Sequence, residues 1–436
     1  MKDTAQDRTQ FGKSRREACS RAVQAELRVS ERGFDPIHVL RASAAGRLRR
    51  LLPIKYARMQ VSPFAFFRGA VSIMAADLGR LPNSGMMVQL CGDAHVQNLG
   101  SYAAPDGKLV FDINDFDETI RGPWEWDVKR MASSIVLAGD ASGHPRQRSR
   151  LAAELFVQIY CDSIRQFASL PILQVARRQI HREERLAPVH AALLESQRAR
   201  PLDTLAKLTE PGGRGQRHFR NLSPLSWRIR GAQARQILVS LDAYRECLAP
   251  DRRHLFDLFR PVDVGFKVVG TGSVGLRDYV VLFEGNGPRD PMFLQIKQEM
   301  PSAYAPYLPN AGHEHAGRRA AEGQRSIQSI SDLLLGWTTV GEHHYLVRQL
   351  NDHKGSIDLE TLRRGGLESL ARVAGELLAR GHARSGDARA IRGYCGSGGK
   401  VVRALRDFAC AYADQTQADF TAFTAAIQRG KIKVAQ

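Results

Sequence analysis

The sequence is poor in cysteine, and its six cysteines are spread over 436 residues without a CxxC pair. This pattern supports neither a disulfide framework nor a zinc knuckle. No stretch reaches the roughly eighteen uninterrupted apolar residues that a membrane helix needs. The first residues, MKDTAQDRTQ, also lack the apolar segment of a secretory signal. We therefore expect a chain that neither spans a membrane nor is exported, and a cytoplasmic location.

Aromatic residues are scarce at 7%, and acidic residues are outnumbered by basic ones, 45 against 63. The net charge of +18 favours anionic partners. Because aromatic residues are few and no known DNA- or RNA-binding module is present, nucleic acid is an open alternative that we do not favour. Hydrophobic residues make up 43% of the chain, enough for a substantial core, and the length suggests two or three domains.

Changes in pattern divide the chain into four regions. Residues 1–60 form a basic N-terminal helical region, which we interpret as a solvated basic face. Residues 61–260 hold two short strands with polar loops, then periodic helices and an Arg-rich helical insert at 177–253. Residues 261–352 are rich in strands, in the order β, β, β, α, β, β, and residues 353–436 are helical again. The fold class is therefore α+β.

Three glycines, Gly270, Gly272 and Gly275, have the GxGxxG spacing of phosphate-binding loops, with Ser273 between them. The next segment, LRDYVVLFEG, is typical of a strand, which disfavours a dinucleotide-binding turn. Two interpretations stay open. The loop is either a hairpin tip whose backbone covers nucleotide phosphates, or only a tight turn.

A lysine and a glutamate downstream could complete a nucleotide site. Lys297 ends the predicted strand LQIK about 25 residues after the glycines, where a cation could bind nucleotide phosphates. Glu322 lies on the predicted helix that follows, from which it would pair with Lys297 and hold it in place. The alternative for each residue is an ordinary surface charge.

The motif CGDAHVQN follows an apolar strand and places Asp93 and Asn98 five residues apart. This is the spacing of the catalytic loop in the kinase superfamily. In that chemistry the aspartate accepts or orients the proton of the acceptor hydroxyl, and the asparagine coordinates Mg²⁺. We expect His95 to brace the loop through a hydrogen bond.

A dense group of carboxylates follows in FDINDFDE, which contains Asp112, Asp115, Asp117 and Glu118. Like charges at this density repel one another unless cations neutralise them. A divalent metal or the many arginines of the chain could do so, and the sequence leaves both open.

Taken together, CGDAHVQN, NDFD and GPWEWDVKR resemble the motifs of the aminoglycoside and choline kinase branch of the protein kinase-like superfamily. The resemblance implies a two-lobed protein kinase-like fold that uses ATP and Mg²⁺. It also implies that Asp93 is the base, that Asn98 and Asp115 hold metal, and that Asp127 is structural.

The phrases SPFAFFRGA, VRQLND and LLARGHARSGD, with those above, resemble a bacterial family, the domain of unknown function DUF2252, over nearly the whole chain. Asp112 and Asp117 have no secure counterpart in the kinase motifs, so which carboxylate binds metal stays open. The catalytic loop precedes the glycine loop, which implies a circularly permuted order with extra helices. HYLVRQLND would then be the last small-lobe strand and hinge, and LESLARVAGELLARGHA the helix that normally leads into the catalytic loop.

Three functions follow as hypotheses. The first is an ATP- and Mg²⁺-dependent phosphotransferase, or an AMP transferase, acting on an unknown acceptor. The second is a nucleotide-binding pseudokinase or regulatory scaffold, and the third is a basic nucleic-acid-binding protein. The Arg-rich insert would suit an anionic acceptor. Arg68 is either a phosphate contact or an arginine that extends from an apolar helix.

Overall fold

The computed structural model describes residues 3–104, 107–178, 187–198, 201–213, 216–309, 312–350, 355–363 and 365–435. Parts of two segments singled out from the sequence lie outside the described residues, namely 179–186, 199–200 and 214–215 of the Arg-rich insert and 351–352 of the predicted hinge. The described chain combines helices with antiparallel sheets, so the predicted α+β class is confirmed. Among its helices, none is long and apolar enough to cross a membrane.

The elements are numbered in chain order. The helices are α1 (Ala5–Ala18), α2 (Pro36–Ala42), α3 (Leu52–Met59), α4 (Pro63–Gly69), α5 (Val71–Leu78), α6 (Trp124–Ala141), α7 (Arg146–Ser169), α8 (Ile172–Arg177), α9 (Ala187–Arg198), α10 (Pro201–Leu208), α11 (Gly231–Glu246), α12 (Pro250–Asp257), α13 (Ala316–Ile327), α14 (Gly366–Ser385), α15 (Ala388–Cys395) and α16 (Gly399–Gln428). The strands are β1 (Met87–Leu90), β2 (Leu99–Ala103), β3 (Leu109–Ile113), β4 (Ile120–Pro123), β5 (Thr209–Pro211), β6 (Arg217–Phe219), β7 (Ser226–Ile229), β8 (Arg260–Lys267), β9 (Asp278–Glu284), β10 (Pro291–Gln298), β11 (Gly336–Val340), β12 (His343–Gln349) and β13 (Gly355–Ser356).

The largest hydrophobic core lies among the long helices α6, α7, α14 and α16. Helix α6 is buried along most of its length, including its charged residues Glu125, Asp127, Lys129 and Arg130, which therefore need partners inside the protein. Its Trp124 stacks on Tyr160 of α7 with ring centroids 5.5 Å apart. The hydroxyl of Tyr160 lies 2.8 Å from Nδ1 of His382 on α14. These contacts fix α6 and α14 relative to each other, and both helices adjoin the loops described below.

A six-stranded antiparallel sheet forms the second part of the molecule, in the order β11, β12, β10, β9, β8, β7. The predicted order β, β, β, α, β, β is confirmed by β8, β9, β10, α13, β11 and β12. The sheet also extends further toward the N-terminus than the expected boundary at residue 261, because β7 pairs with β8 at its edge. Helix α11 packs on the same sheet, where Tyr244 donates a hydrogen bond to the carbonyl of Leu334 at 2.6 Å.

Two smaller ladders carry the polar loops. Strand β1 pairs antiparallel with β4, so that Leu90 lies opposite Ile120. Strand β2 pairs with β3 and β13. The loop that follows β1 and the loop that follows β3 therefore start from neighbouring ladders and meet at the same side of the helical core.

The N-terminal region is not the solvated basic face that the sequence suggested. Helix α1 crosses α15 so closely that a Cβ atom on Gly12 would lie 1.8 Å from the carbonyl oxygen of Ala390. Arg32 is buried and forms ion pairs with Asp77 and Asp419. The basic residues of this region thus include structural ones, because their partners come from helices far along the chain.

Candidate functional site

A cleft of about 1220 Å³ lies between the helical core and the six-stranded sheet. Three separate parts of the chain meet in it: the loop after β1, the loop after β3, and the glycine loop with strand β10. The residues predicted from sequence that line the cleft are Asp93, Asn98, Asp115, Asp117, Gly270, Gly272, Ser273 and Lys297. Those predicted that do not line it are Asp112, Gly275 and Glu322.

The loop after β1 is held by one buried carboxylate. Asp127 of α6 accepts hydrogen bonds from the backbone N–H groups of Cys91 at 2.8 Å and Gly92 at 3.0 Å. Gly92 has a φ of +84°, and a Cβ atom there would lie 2.1 Å from the carbonyl oxygen of Glu118. Only glycine meets both demands without strain, which accounts for the residue that precedes Asp93.

Asp93 projects into the cleft from this loop and is tied to a buried arginine. Nε of Arg130 donates to Asp93 Oδ1 at 2.8 Å, and Oδ2 lies 3.7 Å from Nε2 of His95. Burial lowers the pKa of His95 to about 3, although Asp93 opposes this shift. His95 is therefore neutral at physiological pH, and Asp93 keeps one carboxylate oxygen that Arg130 does not bind.

Asn98 closes the same loop. Its side-chain Nδ2 donates to the backbone carbonyl of Asp93 at 2.8 Å. Its backbone carbonyl accepts from the backbone N–H of Asn114 at 2.8 Å. The amide oxygen of Asn98 accepts no hydrogen bond within the described part of the chain. The side chain thus positions Asp93 with one end and offers an oxygen ligand to the cleft with the other.

The loop after β3 meets Lys297, which projects from β10. Lys297 Nζ donates to Asp117 Oδ1 at 2.5 Å and lies 3.6 Å from Asp115 Oδ1. Burial alone would lower the pKa of Lys297, but Asp115 and Asp117 together raise it above its usual value. Burial likewise opposes ionisation of Asp117, and Lys297 overcomes it and lowers the pKa of that carboxyl. The ammonium is therefore charged and the pair is ionised.

The glycine loop connects β8 to β9 and reaches the acidic loop. Ser273 Oγ donates to Asp117 Oδ2 at 2.8 Å. From the N-terminal region, Arg47 Nη1 donates to the carbonyls of Gly272 at 2.8 Å and Val274 at 2.7 Å. Gly275 lies outside the cleft lining, with a φ of +94°, and its carbonyl accepts from the N–H of Leu48 at 2.7 Å. The loop is a strand connection, as predicted, and is held from both sides.

Asp112 does not reach the cleft. It lies within β3, is completely buried, and forms an ion pair with Arg380 of α14. We therefore remove it from the candidate metal ligands. The sequence placed it with Asp115 and Asp117, but the strand continues to Ile113, so Asp112 faces the helical core.

Glu322 does not pair with Lys297, and that prediction is wrong. Its side chain is 48% exposed and accepts a hydrogen bond from Arg318 at 2.8 Å on the same helix. Helix α13 instead turns Gln324 toward the cleft. The place expected for Glu322 beside Lys297 is taken by the two carboxylates of the acidic loop.

Sequence reasoning missed several polar residues of the cleft. Glu299 lies directly after the end of β10, two residues after Lys297, and the period-2 alternation of an extended chain could have placed both on one face. Burial raises the pKa of Glu299 well above its usual value, with Asp117 adding to the effect. Arg47 and Lys55, from the N-terminal region, also line the cleft, and no local pattern marks them.

The oxygen ligands fit a magnesium ion bound through few protein groups. The described residues contain no group of three or more His, Cys, Asp or Glu side chains placed to hold a metal ion. Mg²⁺ in phosphate sites, however, keeps several waters and is bound through one or two carboxylates plus substrate phosphates. Asp115, which is 37% exposed, and the amide oxygen of Asn98 offer such a partial set.

Comparison with known protein families identifies a match over most of the chain. The family described as "uncharacterized protein conserved in bacteria (DUF2252)" matches residues 47–426. No curated protein and no solved structure shows a significant match to the chain.

Proposed function

The chain belongs to the bacterial DUF2252 family, and from that premise we propose that it is an ATP-dependent phosphotransferase with a circularly permuted, protein kinase-like arrangement of its site. The observation that carries the proposal is convergence in one cleft. Asp93 and Asn98, the acidic pair Asp115 and Asp117, and Lys297 come from segments up to about 200 residues apart and line the same cavity.

The end of α14 supports the permuted order. The N–H of Gln89 on β1 donates to Ser385 Oγ at 3.1 Å, and Arg121 on β4 donates to the carbonyl of Ser385 at 3.1 Å. The last residue of α14 thus lies beside the strand that leads into the loop of Asp93. In an unpermuted kinase-like chain the helix would continue directly into that strand, whereas here the two are joined only in space.

The residues of the cleft divide the chemistry between them. In phosphoryl transfer, the acceptor oxygen forms a bond to the γ-phosphorus, the bond between that phosphorus and the ADP oxygen breaks, and the acceptor proton leaves. Asp93 is the group placed to orient the acceptor hydroxyl and take its proton, because one of its carboxylate oxygens is not bound by Arg130. Lys297 offers a buried, charged ammonium for the phosphates.

Asp115 and Asn98 would hold Mg²⁺, which when bound supplies charge neutralisation of the phosphate oxygens. Asp117 is committed to Lys297 and Ser273 at 2.5 and 2.8 Å, so it serves to position the lysine and the glycine loop. This divides the acidic cluster into one ligand and one positioning residue.

The proposal is tested by calorimetry of ATP binding, with and without Mg²⁺, on the full chain. We expect Mg²⁺-dependent binding by the wild type. Lys297→Ala should weaken it at least tenfold, about 1.4 kcal/mol, and Asp115→Asn should remove the Mg²⁺ dependence. Glu322→Gln is the matched control and should bind like the wild type, because Glu322 lies outside the cleft lining.

Turnover is measured as ADP release, with water as the acceptor. Asp93→Asn should keep nucleotide binding and lose about 10²–10⁴-fold in rate. Binding without turnover by the wild type would instead favour the pseudokinase hypothesis. If the folded wild type bound no nucleotide, or if Lys297→Ala and Glu322→Gln behaved alike, the phosphotransferase proposal would fail.

A further inference from the structure

Two cations from helices α3 and α4 line the cleft that holds Asp93, without a carboxylate partner of their own. Lys55 lies on α3 and Arg68 on α4, and both line the cavity. Helices α3 and α4 also contact the turn of the glycine loop at Thr271–Ser273. Helices α3 and α4 therefore form part of the wall of the cleft beside the glycine loop.

Lys55 is a buried lysine with little to bind. Its side chain is 2% exposed, and its Nζ donates one hydrogen bond, to the carbonyl of Gly69 at 3.1 Å. An ammonium has three donors, so two are left without a partner among the described residues. Burial lowers the pKa of Lys55 well below its usual value, and Arg47 adds to that effect. A bound anion would remove this cost.

Arg68 has no hydrogen-bond or ion-pair partner in any part of the chain that the structure describes, and its Nε is buried. Arg68 lines the same cleft as Asp93 and Asp115, and burial lowers its pKa while the charges of these two carboxylates oppose the shift. A buried, unpartnered Nε favours a contact inside the cleft over an arginine that only extends from an apolar helix.

Several carboxylates of the cleft have partners other than Lys55 and Arg68. Asp93 is bound by Arg130, and Asp117 by Lys297. Glu118 accepts a hydrogen bond from the backbone N–H of Ala303 at 2.6 Å, and burial raises its pKa. Asp93, Asp115 and Asp117 form their ion pairs with other residues, so among the described residues the positive charge of Lys55 and Arg68 is not balanced by a direct ion pair.

We propose that Lys55 and Arg68 form a binding site for a phosphate-type oxyanion next to Asp93. The identity of that anion rests on the proposed function: it is either the terminal phosphate of the nucleotide or an anionic group of the acceptor. A planar guanidinium binds two oxygens of a phosphate side by side, and a lysine acts on the same group as a point charge. Arg47, which holds the glycine loop, is a positioning residue in this arrangement.

The site is tested first with inorganic phosphate on the nucleotide-free protein. Thermal stabilisation and calorimetry are measured at constant ionic strength, with chloride as the reference anion. We expect the wild type and Arg49→Gln to bind phosphate alike, since Arg49 is exposed and outside the cleft lining. Arg68→Gln and Lys55→Met should each weaken binding at least tenfold, and Arg68→Lys should recover part of it. Lys55→Met should remain folded, because it replaces a buried charge with an apolar chain of similar length.

Binding of ATP and ADP then shows whether the anion is the terminal phosphate of the nucleotide or a group of the acceptor. If the site holds the terminal phosphate, Arg68→Gln should weaken ATP binding tenfold or more and leave ADP binding unchanged. If it holds an anionic group of the acceptor, Arg68→Gln should bind ATP and ADP as the wild type does. Phosphate should then bind to the ADP complex only when Arg68 is present.

The two proposals fail in different ways. Arg68-dependent phosphate binding by a protein that binds no nucleotide would keep this site and overturn the phosphotransferase. Nucleotide binding that depends on Lys297, with phosphate binding equal in wild type, Arg68→Gln and Arg49→Gln, would keep the phosphotransferase proposal and overturn the anion site. Phosphate effects no larger than those of chloride would overturn the anion site.

Discussion

At the scale of single residues, Gly92 is the position where backbone geometry and packing leave the least freedom. Its φ of +84° lies in the left-handed region, and a Cβ atom would meet the carbonyl oxygen of Glu118. We expect Gly92→Ala to cost about 1–2 kcal/mol for the backbone conformation. Displacing the neighbouring loop should cost a further 1–3 kcal/mol or so. The same displacement would move Asp93.

The matched control for this prediction is Gly143→Ala. Gly143 has nearly the same φ, +80°, but open space where its Cβ would lie. Urea unfolding should therefore show the larger loss of stability for Gly92→Ala and only the conformational cost for Gly143→Ala. Equal losses would mean that the contact with Glu118 is not a constraint.

Asp278 gives a prediction about pH. It is buried on β9 opposite Lys297 and accepts a hydrogen bond from Gln295 at 2.7 Å. Burial raises the pKa of Asp278 to about 7, against the opposing charges of Lys297, Arg348 and Lys267. Between about pH 4 and pH 7 the folded state holds a proton that the unfolded state has lost. The free energy of unfolding therefore falls as pH rises through this window.

Asp278→Asn removes that proton while keeping an acceptor for Gln295. We expect the variant to be similar to the wild type near pH 4 and more stable above pH 7, by on the order of a few kcal/mol. Unfolding by urea at several pH values measures this difference. Asp242→Asn, at an exposed position, should show no such pH-dependent gain. A difference between Asp278→Asn and wild type that stayed constant with pH would contradict the prediction.

At the scale of secondary-structure elements, the prediction succeeded where hydrophobic residues recur at strong periodicity. The order β, β, β, α, β, β from β8 to β12 is confirmed. It could be predicted because each strand is a short apolar run bounded by turns. Strand β7 was not predicted, because it is only four residues long, lies at a sheet edge and contains an arginine. Its pairing with β8 spans helices α11 and α12, and a pairing at that distance leaves no local signal.

Helix α13 shows a different limit. The helix was predicted correctly, yet the residue chosen from it was wrong, because Glu322 lies outside the stripe of small and apolar residues that the helix buries. Its Arg319 is buried and donates to the backbone carbonyl of Asp117 at 2.7 Å, while Glu322 is exposed. The contacts of Arg319 with the acidic loop thus hold α13 in this rotation.

The residues of the candidate site likewise differ in whether a local sequence pattern or only tertiary packing reveals them. Asp93 with Asn98, and Asp115 with Asp117, could be found because each pair lies in one loop and its chemistry depends on local spacing. Lys55 belongs to a region that the sequence marked only as basic. It becomes part of the cleft because α3 and α4 pack beside the glycine loop.

At the scale of the whole molecule, one buried arginine joins distant parts of the chain. Arg32 donates to Asp77 at 2.7 Å and to Asp419 at 2.6 Å, and these partners lie 45 and 387 residues away along the chain. Tyr412 also donates to Asp77 at 2.9 Å. The N-terminal region, which supplies Arg47, is in this way held against α16.

Arg32→Met should leave two buried carboxylates without a cation and destabilise the protein by about 3–5 kcal/mol. Burial already raises the pKa of Asp77 against the effect of Arg32, so losing the arginine should raise it further and make the variant most unstable at high pH. Arg28→Met is the control. It breaks only exposed pairs, with Glu26 and Glu31, and should cost less than about 1 kcal/mol.

The triple variant Arg32→Met, Asp77→Asn, Asp419→Asn decides whether the charge or the shape of this cluster matters. With the carboxylates neutralised, most of the lost stability should return, because no buried charge is left unpaired. Urea unfolding of the three proteins measures this recovery, and proteolysis of the N-terminal region reports whether it detaches from α16. If the triple variant were no more stable than Arg32→Met, packing of the arginine side chain rather than charge pairing would join the two ends of the chain.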